Sequence, residues 1–503
     1  MNSSSFFKLI ASVNFFLILF SCSHAEKNTF SDPQIKAGVA KIYGKLNDPE
    51  SKVTSLILQF QNPVTADESI IETKVDKDGS FYFEVPVECA VVFGSLYSFG
   101  YRGVLIELSS DKDINIELEL DDSEERIRIN NISGNALLTD EDKENYQDVF
   151  IRYVTFDFDI GQLFEMMPEE YAHFEMDMMK PRTDYAMTGA KFSEAGKNFT
   201  LNELKLIHLQ GALLWYKGRM EKFFKNVEGF ENWIQEPDIK YYTFLKSFDL
   251  NNPQYFCNYY YPETMQALLS VKALNIPPIS ETPVKEWIKE VKTTMAELVG
   301  FDKGLFYDML AANSYARQFN SELKPLSDKQ IENIKKYFKG KKGEIAKILL
   351  RKNEEIIKLA AQKAPLVVNK TPDISKEKLM DAIISKYKGK VIVVDFWATW
   401  CGPCIDAMKK YRTVKRELQG KNIIFVYLTN GSSPQKLWKE QIKGIGGEHY
   451  YLNADEWEYL MESFDFEGIP SYVIFDAQGK LRHKFTGYPG NEEMLNMIEN
   501  LLP

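Results

Sequence analysis

The chain has 503 residues, of which 44% are apolar and 26% are charged, and its formal net charge is −11. This length exceeds what one ordinary hydrophobic core supports, so we expect about three domains of ~100–200 residues each. The composition is typical of a globular protein. The acidic balance argues against nucleic acid and anionic membrane surfaces as partners.

Residues 1–21 predict a secretion signal. Lys8 gives it a positive start, and residues 9–20 form an apolar run that is too short to span a bilayer comfortably. The run ends in Leu19-Phe20-Ser21-Cys22, which resembles the bacterial lipobox although Phe20 is bulkier than the usual residue. That resemblance implies that Cys22 becomes the lipid-modified N-terminus of the mature protein. A plain cleaved signal with an incidental cysteine is the alternative.

After a polar tether over residues 22–37, the pattern of residues 38–135 predicts an antiparallel β-sandwich. Two alternating runs flank the acidic, glycine-ended turn Asp76-Lys77-Asp78-Gly79, which predicts a hairpin. From residue 136 to 365 the apolar spacing becomes helical and predicts an all-α domain. Neither region carries a motif that indicates a reaction.

The cysteines beyond the signal divide into two kinds. Cys89 lies in an apolar run and Cys257 among aromatic residues, so both are expected to be buried. Cys401 and Cys404 form the closely spaced pair. A structural disulfide framework needs more cysteines than these, so the protein is expected to rely on its cores for stability.

Residues 366–503 alternate predicted strands and helices, which indicates an α/β sheet with parallel crossovers. An apolar, β-branched run leads into Trp400-Cys401-Gly402-Pro403-Cys404, and a helical pattern follows. Cys401 is thereby placed at a helix N-terminus, where unpaired N–H groups and the helix dipole favour the thiolate. Cys404 lies one turn later. This arrangement suits dithiol–disulfide exchange.

The segment resembles the thioredoxin superfamily, and within it the TlpA/ResA-like thiol–disulfide oxidoreductases of bacterial envelopes. Besides the cysteine motif, the match rests on Asp395 in the preceding strand, Gly468-Ile469-Pro470-Ser471 before a later strand, and Gly487. The layout of the whole chain also looks like Bacteroidetes lipoproteins that carry a β-domain ahead of such a module. The resemblance implies a C-terminal thioredoxin-like fold.

The resemblance implies roles for three residues in the reaction. Cys401 is the nucleophile and Cys404 the resolving thiol of a redox-active disulfide. Asp395, whose pKa should be raised by burial, is expected to act as a general acid and base behind Cys404. A carboxyl that only hydrogen-bonds a buried backbone group is the alternative for Asp395.

Three further residues are expected to bind the substrate. Pro470 carries a cis peptide bond in this family, and the backbone of Ile469 can pair with an extended substrate strand. Trp400 flanks the exposed sulfur, or alternatively serves packing alone. Two positions depart from the family: Lys409 stands where TlpA-like proteins often have a proline, and the strand over 425–429 lacks the lysine that some thioredoxins place near the buried acid.

The Gly-Pro dipeptide between the cysteines resembles that of reducing thioredoxins. We therefore predict a thiol–disulfide oxidoreductase that reduces protein disulfides in the cell envelope and needs no cofactor. A membrane electron donor would re-reduce it. The only contact with the membrane would be a lipid anchor at Cys22, with the protein facing the periplasm.

Three other functions compete with this prediction. A zinc site needs two further ligands, and His449 and His483 are isolated. Copper(I) binding by the methionines around His173 is disfavoured, because methionines at helical spacing usually fill cores. No metal is therefore expected. The remaining alternative is an envelope binding or adaptor lipoprotein whose β and helical domains capture a peptide, a glycan or a partner.

Overall fold

The computed structural model describes residues 32–502 except 111, 135, 136, 323 and 362–364. The predicted signal peptide over residues 1–21 and the predicted lipidation site Cys22 lie outside the described residues. The first strand begins at Ile35, inside the segment predicted to be a tether. No helix among the described residues combines the length and the apolar character needed to cross a membrane.

The N-terminal region is a mixed eight-stranded sheet. Its strands are β1 Ile35–Asn47, β2 Ser55–Gln61, β3 Glu68–Lys74, β4 Ser80–Cys89, β5 Val91–Ser98, β6 Tyr101–Ser109, β7 Ile114–Asp121 and β8 Arg126–Ser133. They lie in the order β3-β2-β5-β6-β8-β7-β1-β4, and the pairs β1–β7 and β6–β8 are parallel. The β-rich prediction is confirmed, but the antiparallel sandwich is not what forms, because strand alternation does not specify which strands become neighbours.

The turn at Asp76–Gly79 forms as predicted. Gly79 has a φ of +85°, which favours glycine, and its N–H donates to the carbonyl of Asp76 at 2.8 Å. The hairpin prediction is wrong, because β3 pairs with β2 whereas β4 pairs with β1. β3 and β4 are the two edge strands of the sheet. A short turn between opposite edges brings them close together, so the sheet curls into a near-barrel.

Helices follow over the central region. They are α1 Asp140–Val154, α2 Pro168–Met187, α3 Glu194–His208, α4 Tyr216–Phe224, α5 Phe230–Trp233, α6 Tyr260–Ser270, α7 Val284–Val299, α8 Leu305–Asn320, α9 Asp328–Tyr337 and α10 Gly343–Ala361. Short 3-10 segments and one π turn, Leu209–Leu213, connect some of them. Buried residues of the sheet, such as Phe83 and Ile116, join helical residues such as Leu310 and Leu349 in one apolar cluster. The sheet and the helices therefore share a core.

The C-terminal region is an α/β sheet, as predicted. Its strands are β9 Leu366–Val368, β10 Val391–Phe396, β11 Ile423–Asn430, β12 Gly447–Leu452, β13 Ser471–Phe475 and β14 Leu481–Thr486, and its helices are α11 Lys376–Ser385, α12 Gly402–Glu417, α13 Gln435–Ile445, α14 Ala454–Ser463 and α15 Asn491–Glu499. The strand order is β14-β13-β10-β11-β12-β9, with β13 and β14 antiparallel to their neighbours.

Strand β10 lies inside this sheet and is buried along its whole length. Val391 and Val393 belong to a core shared with α12 and α15, whereas Ile392 and Val394 belong to a core shared with α11 and α14. Because side chains alternate between the faces of a strand, both faces of β10 are covered by helices. The strand therefore holds the residues that follow it in a fixed position.

Candidate active site

Cys401 and Cys404 lie where β10 leads into α12, and they are joined in a disulfide with a Cα–Cα distance of 5.2 Å. Cys401 is the N-cap of α12, and its Sγ accepts a hydrogen bond from the backbone N–H of Cys404 at 3.1 Å. Pro403 occupies the first turn, where a helix needs no N–H. Cys401 keeps 3% of its surface exposed and Cys404 keeps none. Cys401 is therefore the outer sulfur.

The other two described cysteines are placed differently. Cys89 and Cys257 are free and buried, as the sequence predicts. Burial raises the pKa of both thiols well above the ordinary value. Neither thiol is set up as a nucleophile, because the thiolate is the reactive form.

Trp400 stands at the surface beside the disulfide, with 64% of its surface exposed. Its Nε1–H donates to Ser432 Oγ at 3.0 Å, and the backbone N–H of Thr399 donates to Ser433 Oγ at 3.0 Å. Both serines follow β11, so these hydrogen bonds tie the cysteine loop to the neighbouring strand. An exposed indole gives this surface an apolar platform next to the outer sulfur.

The loop before β13 packs against the outer sulfur. The Ile469–Pro470 peptide bond is cis, and the carbonyl oxygen of Ile469 lies 3.7 Å from Cys401 Sγ. The backbone N–H of Gly487 donates to the Pro470 carbonyl at 2.8 Å, which fixes the loop against the end of β14. The structure thus brings Trp400, Cys401, Ile469 and Pro470 together around one sulfur.

Asp395 lies below the cysteine loop. It shares a face of β10 with Val391 and Val393, the face that α12 covers. Only 1% of Asp395 is exposed, and within the described residues neither carboxylate oxygen has a hydrogen-bond partner. Burial raises the pKa of Asp395 to about 8, and the positive charge of Lys415 opposes that rise. The alternative in which Asp395 serves a buried backbone group is not what forms.

Three tyrosines surround this carboxyl. Tyr427 in β11 and Tyr472 in β13 are the register partners of Asp395, so their side chains share its face of the sheet. Tyr411 comes from α12. The hydroxyl of each has no hydrogen-bond partner among the described residues, and burial raises the pKa of all three. They stay neutral, so among these four side chains only the carboxyl can change its charge near neutral pH.

Lys415 on α12 supplies the cation of the site. Its Nζ lies over three rings, 4.7 Å from the centroid of Tyr427, 5.1 Å from that of Phe425 and 5.6 Å from that of Tyr411. Burial lowers the pKa of Lys415 to about 7, and Asp395 opposes this shift. The Lys415 ammonium and the Asp395 carboxylate each stabilise the charged form of the other, although the described residues show no direct ion pair between them.

Sequence reasoning missed Lys415 because it searched the strand over 425–429 for this cation. The cation comes instead from the helix that begins at the cysteines. Cys404, Met408, Tyr411 and Lys415 follow one another at spacings of four, three and four, which places them on one helix face. Following the residues at helical spacing from Cys404 along the same helix face leads to Lys415.

Comparison with known proteins decides the family. A family model described as Redoxin matches residues 362–502. Thioredoxin-like protein YneN of Bacillus subtilis (strain 168) is 35% identical over 141 residues, which cover 27% of this chain and 78% of YneN. The chain belongs to the thioredoxin superfamily. The resemblance to the thioredoxin superfamily stated from the sequence is confirmed, and the lipoprotein type stays a prediction.

This thioredoxin-superfamily protein is also similar to thiol-disulfide oxidoreductase ResA of Geobacillus kaustophilus (strain HTA426), at 24% identity over 120 residues that cover 24% of this chain and 68% of ResA. The crystal structure of the thioredoxin domain of a thiol-disulfide oxidoreductase from Bacteroides vulgatus is 20% identical, covers 24% of this chain and 84% of that chain, and has a TM-score of 0.21. The sheet and helices before residue 362 lie outside the Redoxin match.

Proposed function

We propose that this protein is a thiol–disulfide oxidoreductase that reduces protein disulfides through Cys401 and Cys404. One observation carries the proposal: Cys401 caps the N-terminus of α12 and keeps 3% of its surface exposed, whereas Cys404, one turn behind it, keeps none. The outer sulfur can meet a substrate, and the inner one can reach only Cys401. Its relatives' names support the same activity.

In the first step the Cys401 thiolate attacks one sulfur of a substrate disulfide. The substrate S–S bond breaks, a mixed disulfide with Cys401 forms, and the second substrate sulfur leaves as a thiolate. The N–H of Cys404 and the positive end of α12 stabilise the attacking thiolate before the bond forms. The reaction therefore begins at the sulfur that the helix activates.

In the second step Cys404 gives its proton to the carboxylate of Asp395 and attacks the Cys401 sulfur of the mixed disulfide. The intramolecular disulfide forms and the second substrate thiol is released, so two electrons have passed to the substrate. Burial favours the protonated form of Asp395, which makes it a strong base when ionised. Lys415 keeps a fraction of Asp395 ionised near neutral pH.

The substrate chain binds across the outer sulfur. An extended peptide pairs with the backbone at Ile469, held by the Pro470 turn, and packs against the exposed ring of Trp400. We place the reaction in the cell envelope, on the periplasmic side, with Cys22 as the lipid anchor and a membrane electron donor that re-reduces the disulfide. The predicted secretion signal and the lipobox-like sequence before Cys22 support this location.

Reduction of insulin disulfides by the pre-reduced chain, residues 23–503, tests the proposal. The wild-type chain should reduce insulin and Cys401→Ser should not. Cys404→Ser should accumulate a mixed disulfide with insulin that dithiothreitol releases, because its resolving thiol is gone. Cys257→Ala is the matched control and should keep the wild-type rate. Insulin reduction by Cys401→Ser at the wild-type rate would contradict the proposal.

The direction of the reaction is tested by the redox potential of the Cys401–Cys404 couple. Equilibration with glutathione, followed by thiol alkylation, gives this value. A reductase should lie near thioredoxin at about −270 mV. A value near the oxidising end, about −120 mV, would assign the protein to disulfide formation instead.

A further inference from the structure

A cavity of about 390 Å³ lies between the N-terminal sheet and the helices, far along the chain from the cysteine pair. Strands β2, β5 and β6 form one side, and α1, α3 and the start of α6 form the other. Its size is within the range of small-molecule sites. Most of its surface is apolar, with a few polar groups.

Aromatic rings dominate the helical wall of this cavity. Phe150 and Tyr260 are stacked with centroids 6.0 Å apart and an angle of 13° between the rings. Tyr146 is 6.0 Å from Phe150 and 5.4 Å from Phe199, measured between ring centroids. The face of an aromatic ring carries negative potential and attracts cations. A cation on an apolar body suits such a wall.

Glu203 on α3 also lines the cavity and is 1% exposed. Its Oε1 accepts hydrogen bonds from the N–H of Tyr259 at 3.2 Å and from the hydroxyl of Tyr146 at 3.3 Å. Its Oε2 is buried and has no hydrogen-bond partner in the described part of the chain. Burial raises the pKa of Glu203 to about 7, and polar groups of Asn258, Tyr259, Tyr146 and Tyr260 oppose that rise. A buried carboxylate oxygen of this kind requires a donor.

Two more carboxyl groups, outside the lining itself, lie near the lining residues Tyr259 and Tyr260. The hydroxyl of Tyr259 donates to Glu68 at 2.6 Å, and Gln61 donates to Glu263 at 3.4 Å. Burial and the charge of Glu68 raise the pKa of Glu263 to about 7. The cation that lines the cavity, Arg102, donates instead to the exposed carbonyl of Glu124 at 3.3 Å. The charge of Arg102 opposes a positive ligand, but the three carboxyl groups Glu68, Glu203 and Glu263 outnumber this one described lining cation and favour such a ligand at their end of the cavity.

We propose that this cavity binds a primary ammonium group carried on an apolar body. The ammonium donates to Glu203 Oε2, and the apolar body packs against the rings of Tyr146, Phe150 and Tyr260. A quaternary ammonium is a poorer ligand because it has no N–H to donate to Glu203. An anion is a poorer ligand because the carboxyl groups repel it. This binding does not depend on the cysteine chemistry.

Isothermal titration calorimetry on the chain over residues 23–503 tests the proposal with three probes of similar shape. 2-Phenylethylammonium should bind with a dissociation constant on the order of 1 mM or lower, the affinity expected of so small a ligand. Neutral 2-phenylethanol and anionic 3-phenylpropionate should bind at least about tenfold more weakly, since they lack the charge that pairs with Glu203. Equal binding of the amine and the alcohol, or no binding of the amine, would overturn the proposal.

Glu203→Gln then locates the interaction. It removes the charge with little change in shape, so the affinity for 2-phenylethylammonium should fall to that for 2-phenylethanol. Glu263→Gln is the matched control, a half-buried carboxyl near the cavity that does not line it, and should retain the preference for the amine. Both variants should reduce insulin at the wild-type rate. If Glu203→Gln still bound 2-phenylethylammonium more tightly than 2-phenylethanol by the wild-type factor, the ammonium would not bind at Glu203 and the proposal would be refuted.

Discussion

The central helical region and the C-terminal α/β region each contain a buried carboxylate, and the two carboxylates differ in whether they form ion pairs. Glu175 in α2 is fully buried and lies 3.0 Å from Arg219 Nη1 and 3.9 Å from Arg182 Nη2. Burial raises the pKa of Glu175, and both arginines oppose that rise. Asp395 in β10 is equally buried, yet the described residues give it no ion-pair or hydrogen-bond partner, and Lys415 acts on it only through space.

This difference separates a structural charge from a reactive one. A carboxylate held by direct ion pairs locks the helices that supply its partners, and neutralising it leaves those partners buried and uncompensated. A carboxyl without an ion-pair partner can exchange its proton at a moderate cost, because no ion pair breaks when it does. Asp395 is therefore suited to proton transfer, whereas Glu175 is suited to holding α2 and α4 together.

The sharpest test of the comparison is Asp395→Asn. We expect insulin reduction at pH 7 to slow by about 10²–10⁴-fold, because Cys404 loses its proton acceptor. Stopped-flow measurement of the pre-reduced protein gives the rate, and trapping should show the mixed disulfide accumulating. Glu175→Gln is the control and should keep the wild-type rate per folded molecule. An unchanged rate in Asp395→Asn would remove the distinction between the two carboxyl groups.

Glu175→Gln should in turn damage stability. Its free energy of unfolding should fall by about 3–5 kcal/mol, because the buried Arg182 and the half-buried Arg219 lose their counter-charge. Urea unfolding followed by circular dichroism measures this. Asp177→Asn, an exposed acid on the same helix, should change the stability by less than about 0.5 kcal/mol. A loss in Glu175→Gln no larger than in Asp177→Asn would show that the ion pairs are dispensable.

The pH dependence of stability sharpens the same contrast. Asp395 has a pKa of about 8 in the folded protein against 3.8 ordinarily, so the folded state binds the proton more tightly. Its contribution to stability is fully present below pH 3.8 and is lost as the pH rises through about 8. The unfolding free energy of the wild-type protein should therefore fall relative to that of Asp395→Asn between pH 5 and pH 8, by an amount on the order of a few kcal/mol. Parallel curves for the two proteins would contradict this.

The smallest expected effect belongs to Lys415→Met. Removing the ammonium should raise the pKa of Asp395 further and move the pH profile of insulin reduction to higher pH. At pH 7 the rate should drop by about tenfold, the change that one pKa unit produces. Lys410→Met, an exposed lysine on the same helix, should leave the profile unchanged. A lower rate in Lys415→Met without any shift of the profile would indicate a packing role for Lys415.

The parts of the fold that depend on neighbours in sequence were predictable. Among the described residues, those of 136–365 form helices, as their apolar spacing predicts, and those of 366–503 alternate strands and helices as predicted. The strand pairings of the N-terminal sheet were not predictable. β3 and β4 have the alternation and the turn of a hairpin but lie at opposite edges, because β3 pairs with β2 and β4 pairs with β1.

The sequence by itself determined the reactive pair, because a β-branched strand, Pro403 in the first turn and two cysteines one turn apart are all local features. It also determined the superfamily, through Asp395 and the Ile469–Pro470 segment. Tertiary structure alone decided that Lys415 acts through space on the buried acid and that Glu203 lines an aromatic cavity. Both arrangements bring together elements that are distant in the chain. The helical or strand repeat of a sequence specifies on which face of its element a side chain lies, but not which other element packs against that face.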